Sequence, residues 1–236
     1  MANNARILSS SRSYEFLPDR MRLSVLSLPS VIARLQETFR FGIARPGVPP
    51  AMFGPVVATA PPGVVCQLGT FLDGDGAEFH LRELYVEPRR VVISVAGEAR
   101  NLDFVWERLR SLLMDIGHQD AIQGDPHAIR HASEVSAQLK IPPSALVASG
   151  VMESVAPFVQ DGGQVWVPAI HGVIYRPDDE YEGDFPGPGV GVKNVWVLSL
   201  RAGSAVANGH DFYSSAPLEA TEHIAFLTRL ETSLQR

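Results

Sequence analysis

The stretch Phe79–Ile116, FHLRELYVEPRRVVISVAGEARNLDFVWERLRSLLMDI, decides the fold class. Phe79–Val86 and Arg90–Ala96 are rich in β-branched and aromatic residues and are separated by Glu87-Pro88-Arg89, so they read as two strands joined by a turn. In the second strand Val91, Ile93 and Val95 alternate with Val92 and Ser94, and Val92 implies that neither face is fully wet. In the first strand the alternation slips. Phe79 and Leu81 share one face while Leu84 and Val86 share the other, and a bulge near Arg82-Glu83 reconciles them. From Asn101 the period changes: Leu102, Val105, Trp106, Leu109, Leu112, Leu113 and Ile116 fill one broad helical face, with Asp103, Glu107, Arg110 and Ser111 opposite. Such a helix lies on a sheet.

Working outward, residues 1–27 are polar and then mixed, with a short strand expected at Met21–Leu26. Pro29-Ser30 opens a helix to about Phe39, Pro46 to Pro62 is a Pro-rich apolar connector, and Val64–Leu72 reads as a strand turning at Asp73-Gly74-Asp75-Gly76. Gly117 ends the amphipathic helix. Asp125-Pro126 then supplies an N-cap and a first-turn proline for a helix expected to run to Leu139, and Pro142-Pro143-Ser144 starts another towards Val155. Strands are expected at Gln164–Tyr175 and Val192–Leu200, on either side of an acidic Gly/Pro loop. A long loop then leads to a last helix at Ala216–Leu234, whose inward stripe is Ala220, His223, Ile224, Leu227, Leu230 and Leu234. The expected class is α+β: a mainly antiparallel sheet packed by amphipathic helices, either as two similar strand-strand-helix lobes, 1–120 and 121–236, or as one continuous domain.

Composition narrows the function classes. The formal net charge of −6 argues against nonspecific nucleic-acid binding and against an anionic membrane surface. A single cysteine, Cys66, excludes an intrachain disulfide and multi-cysteine metal sites, and a buried inert thiol is expected in its apolar strand. The opening residues lack the apolar core of a secretory signal, and the uncharged run Pro46–Leu72 carries six prolines, so no membrane helix is expected there. A soluble, cytoplasmic protein is the expectation.

Among candidate sites, His127, His131 and Glu134 share one side of the helix expected from Asp125, a workable arrangement for a divalent metal such as zinc. The same pattern suits a solvated polar face, and the segment between the histidines lacks the glutamate of a zinc protease. The segment around Pro142-Pro143 has helix-turn-helix spacing, but its second helix carries no Lys or Arg to read DNA. Asp73–Glu78 resembles a calcium loop, yet its twelfth position falls on Leu84 rather than a glutamate. The five carboxylates within Asp178–Asp184 read as a solvated loop. Arg82, Glu87, Arg89 and Arg90 gather at one sheet end, where they are expected to pair among themselves with no phosphate-binding loop nearby. His223, within an apolar stripe, reads as a hydrogen-bonded core histidine. No nucleophile elbow, P-loop or dinucleotide fingerprint is present.

The uncharged arm around Met52 and Phe53 is rigidified by Pro49, Pro50 and Pro55 and suits a contact with a neighbouring subunit or partner. The leading expectation is a noncatalytic protein acting through protein–protein contacts as a homo-oligomer, without a cofactor. Pro50, Met52 and Phe53 would be contact residues, and Trp166 or Trp196 aromatic anchors. The competing expectation is a metal-dependent hydrolase using His127, His131 and Glu134. Alanine at both Met52 and Phe53 is expected to lower the oligomer mass in light scattering while leaving the circular dichroism spectrum intact. An unchanged mass would remove the arm from the interface.

Overall fold

The computed structural model describes residues 3–47, 63–72, 76–141, 172–175, 196–206 and 209–234. Its strands are β1 (Asn3–Glu15), β2 (Ile43–Gly47), β3 (Gly63–Leu72), β4 (Glu78–Glu87), β5 (Arg90–Ala96), β6 (Ala128–Leu139), β7 (Gly172–Tyr175), β8 (Trp196–Val206) and β9 (Gly209–Ala216). Among the described residues these form one nine-stranded sheet in the order β2-β3-β4-β5-β1-β6-β9-β8-β7. Every neighbouring pair is antiparallel. The helices are α1 (Leu23–Leu26), α2 (Pro29–Thr38), α3 (Arg100–Asp115) and α4 (Ala220–Leu234). The fold is thus α+β with a mainly antiparallel sheet. No described helix is long and apolar enough to cross a membrane.

The stretch 79–116 folds as its pattern dictates. β4 and β5 pair from Leu81↔Val95 to Glu87↔Arg90, with the register shift between Leu81 and Glu83 that the slipped alternation required. Val91 to Val95 are all buried. Leu102, Val105, Trp106, Leu109, Leu112 and Leu113 of α3 are buried too, and Trp106 stacks on Tyr14 of β1 with ring centroids 4.1 Å apart.

Elsewhere the sequence reading is corrected. Residues 3–15 form β1, the sheet's central strand, although they lack the apolar alternation that marks a strand. Met21–Leu26 is not a strand, because its latter part closes helical hydrogen bonds as α1. The helix expected from Asp125 to Leu139 is β6: Val135, Ala137 and Leu139 alternate with Ser136 and Gln138, and pairing with β1 and β9 favours that period over the helical one. The stretch taken as a loop before the last helix contains β9, and that helix starts at Ala220. The helix expected after Pro142, the calcium-loop aspartates Asp73 and Asp75, and the acidic run Asp178–Asp184 lie outside the described residues.

Register assigns the two faces. The helices supply Leu26, Val31, Leu35, Leu102 and Leu109 to a core with Cys66, Leu84, Val86, Ile93 and Tyr14, all on one face. On that same face, Leu227 of α4 joins Val135, Ala137, Leu139, Leu198 and Phe212 in a second, smaller core. Among the described residues, all the helices therefore cover a single face. Trp106→Ala would remove the stacked ring and leave a cavity over β1, so a loss of about 3–5 kcal/mol is expected in chemical denaturation. A loss below about 1 kcal/mol would show that the Tyr14–Trp106 stack does not anchor α3.

Candidate functional site

On the opposite face lies a groove of ≈ 230 Å³ running over β4, β5, β1 and β6 towards β9. Its floor is built from serines. Successive residues of a strand point to opposite faces, so Ser9, Ser11 and Ser13 of β1 line up with Ser94 of β5 on this side. The Ser11 hydroxyl donates to Ser94 Oγ at 2.9 Å, and the Ser9 hydroxyl donates to Glu134 Oε2 at 2.8 Å. Arginines and carboxylates form the rim. Arg82 donates to Glu134 Oε2 at 2.9 Å, Arg130 Nε donates to Glu15 at 2.9 Å, and Arg90 grips Glu87 through two nitrogens at 2.9 and 2.7 Å.

The bulge in β4 makes this rim possible. Inserting Arg82 relative to β5 sends both Arg82 and Glu83 into the groove instead of one to each face. β3 answers with an irregularity of its own: Leu68 adopts φ +58, in the left-handed region that a branched side chain rarely enters. At one end of the groove face Val65, Tyr85 and Val92 form a small buried apolar cluster. Gln67 Nε2 donates to the Tyr85 hydroxyl at 2.8 Å, and burial, then the bond to Glu83, push that hydroxyl's pKa up.

Glu134 is the best-connected carboxylate of the site. Burial opposes its charge, yet the bonds from Ser9, Arg82 and Tyr213 outweigh that penalty and hold it below its ordinary range. It is a fixed anion. The Tyr213 hydroxyl is pushed up to about 12, first by burial and then by its bond to Glu134.

The structure separates the residues read as a metal set. His127 precedes β6, and His131 lies on β6 opposite Arg12 on the helix-covered face. Glu134, at the other parity, faces the groove and is held by Ser9 and Arg82. The shared helical side that the metal reading needed is absent because the segment is a strand. Among the described residues, no three His, Cys, Asp or Glu groups converge as metal ligands. Trp196 opens β8, while Pro50, Met52, Phe53 and Trp166 lie outside the described residues. The serine floor escaped the sequence reading, although the run Ser9-Ser10-Ser11-Arg12-Ser13 and the slip at Arg82-Glu83 were its two signals.

Beneath the sheet, His223 of α4 is fully buried between two buried serines, with Nδ1 2.9 Å from Ser133 Oγ and Nε2 2.8 Å from Ser214 Oγ. The two hydroxyls also reach the carbonyls of Leu218 and Val197. A neutral ring donates through one nitrogen and accepts through the other, so one serine gives its proton to the ring and the other gives its own to a carbonyl. Burial lowers the His223 pKa to about 4. Cys66 is likewise sealed, its thiol pushed up to about 12 by burial. The chain matches no protein-family model and no curated protein.

The lowered His223 pKa sets a pH dependence. The unfolded chain takes up this proton near 6.5, before the folded one does, so the contribution is complete above pH 6.5 and is lost as pH falls towards about 4. Wild-type protein is expected to lose on the order of 3 kcal/mol across that window, and His223→Gln to flatten this part of the urea-midpoint profile. Glu134, whose pKa is lowered from 4.5, adds its own loss as pH falls below 4.5, at the acid end of this window. An identical profile in the variant would show that His223 does not carry the effect.

Proposed function

We propose that this chain is a noncatalytic protein that works through protein contacts, as a homo-oligomer, using the groove-bearing face at the β2–β3 edge together with the arm that follows β2. The observation that carries this reading is a patch of exposed apolar side chains at that edge. Leu68 is 71 % exposed, Leu72 46 % and Ile43 38 %. Pairing in β2–β3–β4 turns all three to the face opposite the helices. Scattered exposed leucines are ordinary, but here three share one face of an edge, one of them held in a strained backbone conformation. β2 ends at Gly47, where the arm begins. Pro46, within β2, has no N–H to offer an incoming strand, so the contact is one of side chains rather than of sheet extension.

The noncatalytic part of the reading rests on what the reactive groups already do. His223 is sealed and committed to two serines, the Cys66 thiol is buried, and Glu134 is locked as an anion by three donors. A general base needs access and a pKa poised near the working pH, and each of these groups lacks one or both. Charging the edge with Leu68→Asp and Leu72→Asp is expected to convert the assembly to monomer in native mass spectrometry without lowering the melting temperature. A wild-type chain that is already monomeric at micromolar concentration, or a variant of unchanged mass, would defeat the proposal.

A further inference from the structure

We propose that the groove is a binding site for a small organic carboxylate that also carries an amino or hydroxyl donor, its carboxylate held between Ser13 and Arg130. The site reaches from β4 to β6 and borders the edge contact at the β4 bulge, but neither reading depends on the other, since one is read by ligand binding and the other by oligomer mass.

The serines of the floor are not equivalent. Ser9 and Ser11 are satisfied within the protein, by Glu134 and Ser94. Ser13, only 4 % exposed and lining the same groove, has a buried hydroxyl with no hydrogen-bond partner. Buried polar groups are almost always paired, so such an atom in a groove wall points to a partner supplied from outside. Directly across the β1–β6 ladder sits Arg130, whose Cβ in such a pair lies about 5 Å from that of Ser13. Among the described residues only its Nε is engaged, by Glu15, which leaves both terminal nitrogens to bind. A hydroxyl donor beside two guanidinium donors matches a carboxylate, whose two oxygens accept both at once.

The far wall has the opposite need. Oε2 of Glu83 is buried, faces the groove and has no partner. A carboxyl oxygen accepts, so it calls for a donor on the ligand. Glu83 stands on β4 and Ser13 on β1, two strand spacings apart and two residues offset along the strands, about 12 Å between backbones. A carboxylate with an amine or hydroxyl several bonds away, at the far end of a short chain, spans that gap, and ≈ 230 Å³ holds a molecule of that size. The mixed rim, Arg82 and Arg130 against Glu83 and Glu134, favours such a two-ended ligand over a bare anion.

The test is isothermal titration calorimetry with ligand-observed NMR on the full chain. The panel contains amino acids, hydroxy acids, carboxylic acids lacking a second donor, and inorganic phosphate. The expected result is saturable one-to-one binding of an amino or hydroxy acid, with the donor-free acids about tenfold weaker or more. Ser13→Ala and Arg130→Gln should each weaken binding by roughly 10–100-fold. Arg34→Gln, on an exposed pair of α2, should bind as wild type. Should Ser13→Ala misfold, Arg130→Gln on the half-exposed rim carries the test alone. No saturable binding at millimolar concentration, or wild-type affinity in the groove variants, overturns the proposal. So does phosphate binding as tightly as any acid, since that reports a surface arginine and not a built site.

Discussion

β1 and β6 run antiparallel from Ser9↔Glu134 to Glu15↔Ala128, and every other strand is reached through one of them, β5 through β1 and β9 through β6. Among the described residues, strands β2–β5 and strands β7–β9 are therefore joined into one sheet through this ladder. A strand in that position has its backbone bonded on both sides and cannot turn its polar side chains towards a free edge. β1 meets this demand with serines short enough to find partners next to the sheet: Ser10 donates to the Gly97 carbonyl, Ser11 to Ser94 and Ser9 to Glu134. The larger Arg12 pairs with Asp103 of α3.

The two halves attach their helices to this ladder by different chemistry. α3 docks through an apolar stripe and the stacking of Trp106 on Tyr14, within a core that also takes in α1 and α2. α4 docks on a smaller core and places His223, a polar ring, between Ser133 of β6 and Ser214 of β9. Glu231, about two turns further along α4, accepts the backbone N–H of Lys140 at 2.7 Å and so closes the end of β6. Hydrogen bonds of this kind contribute little net free energy but are costly to leave half made. Specific pairings therefore add to the apolar core on which α4 docks, and proton uptake by one imidazole acts on its helix directly.

How far the sequence discloses this arrangement follows from which force shapes each segment. β3, β4, β5 and α3 are legible because apolar burial on one face writes a period into the residues, and the slip at Arg82-Glu83 even disclosed the bulge. β1 is illegible by that rule, since its inward residues toward the groove are serines and no apolar alternation exists to read. β6 carried both signals. Asp125-Pro126 and the His127–His131 spacing suggested a helix, while Val135, Ala137 and Leu139 against Glu134, Ser136 and Gln138 kept a strict period of two. The strand signal prevailed because partners on both sides were available to it, and those partners are distant in sequence. The groove inherited the same obscurity: its polar lining comes from strands joined only by long-range pairing.

The bulge links the surfaces that remain to be explained. With Arg82 inserted, β4 turns Arg82 and Glu83 to the groove face together, and β3 follows by forcing Leu68 to positive φ and out to 71 % exposure. A leucine in that conformation is strained, and a buried carboxyl oxygen without a donor is unfavourable, so a backbone selected for stability alone would avoid both. Both defects arise at one kink and face one side of the sheet. They therefore gather on the surface that both proposed contacts use. A partner at Leu68 and a ligand at Glu83, as proposed, would bear on the same distortion at Leu68, Arg82 and Glu83, with β5 between it and the β1–β6 ladder.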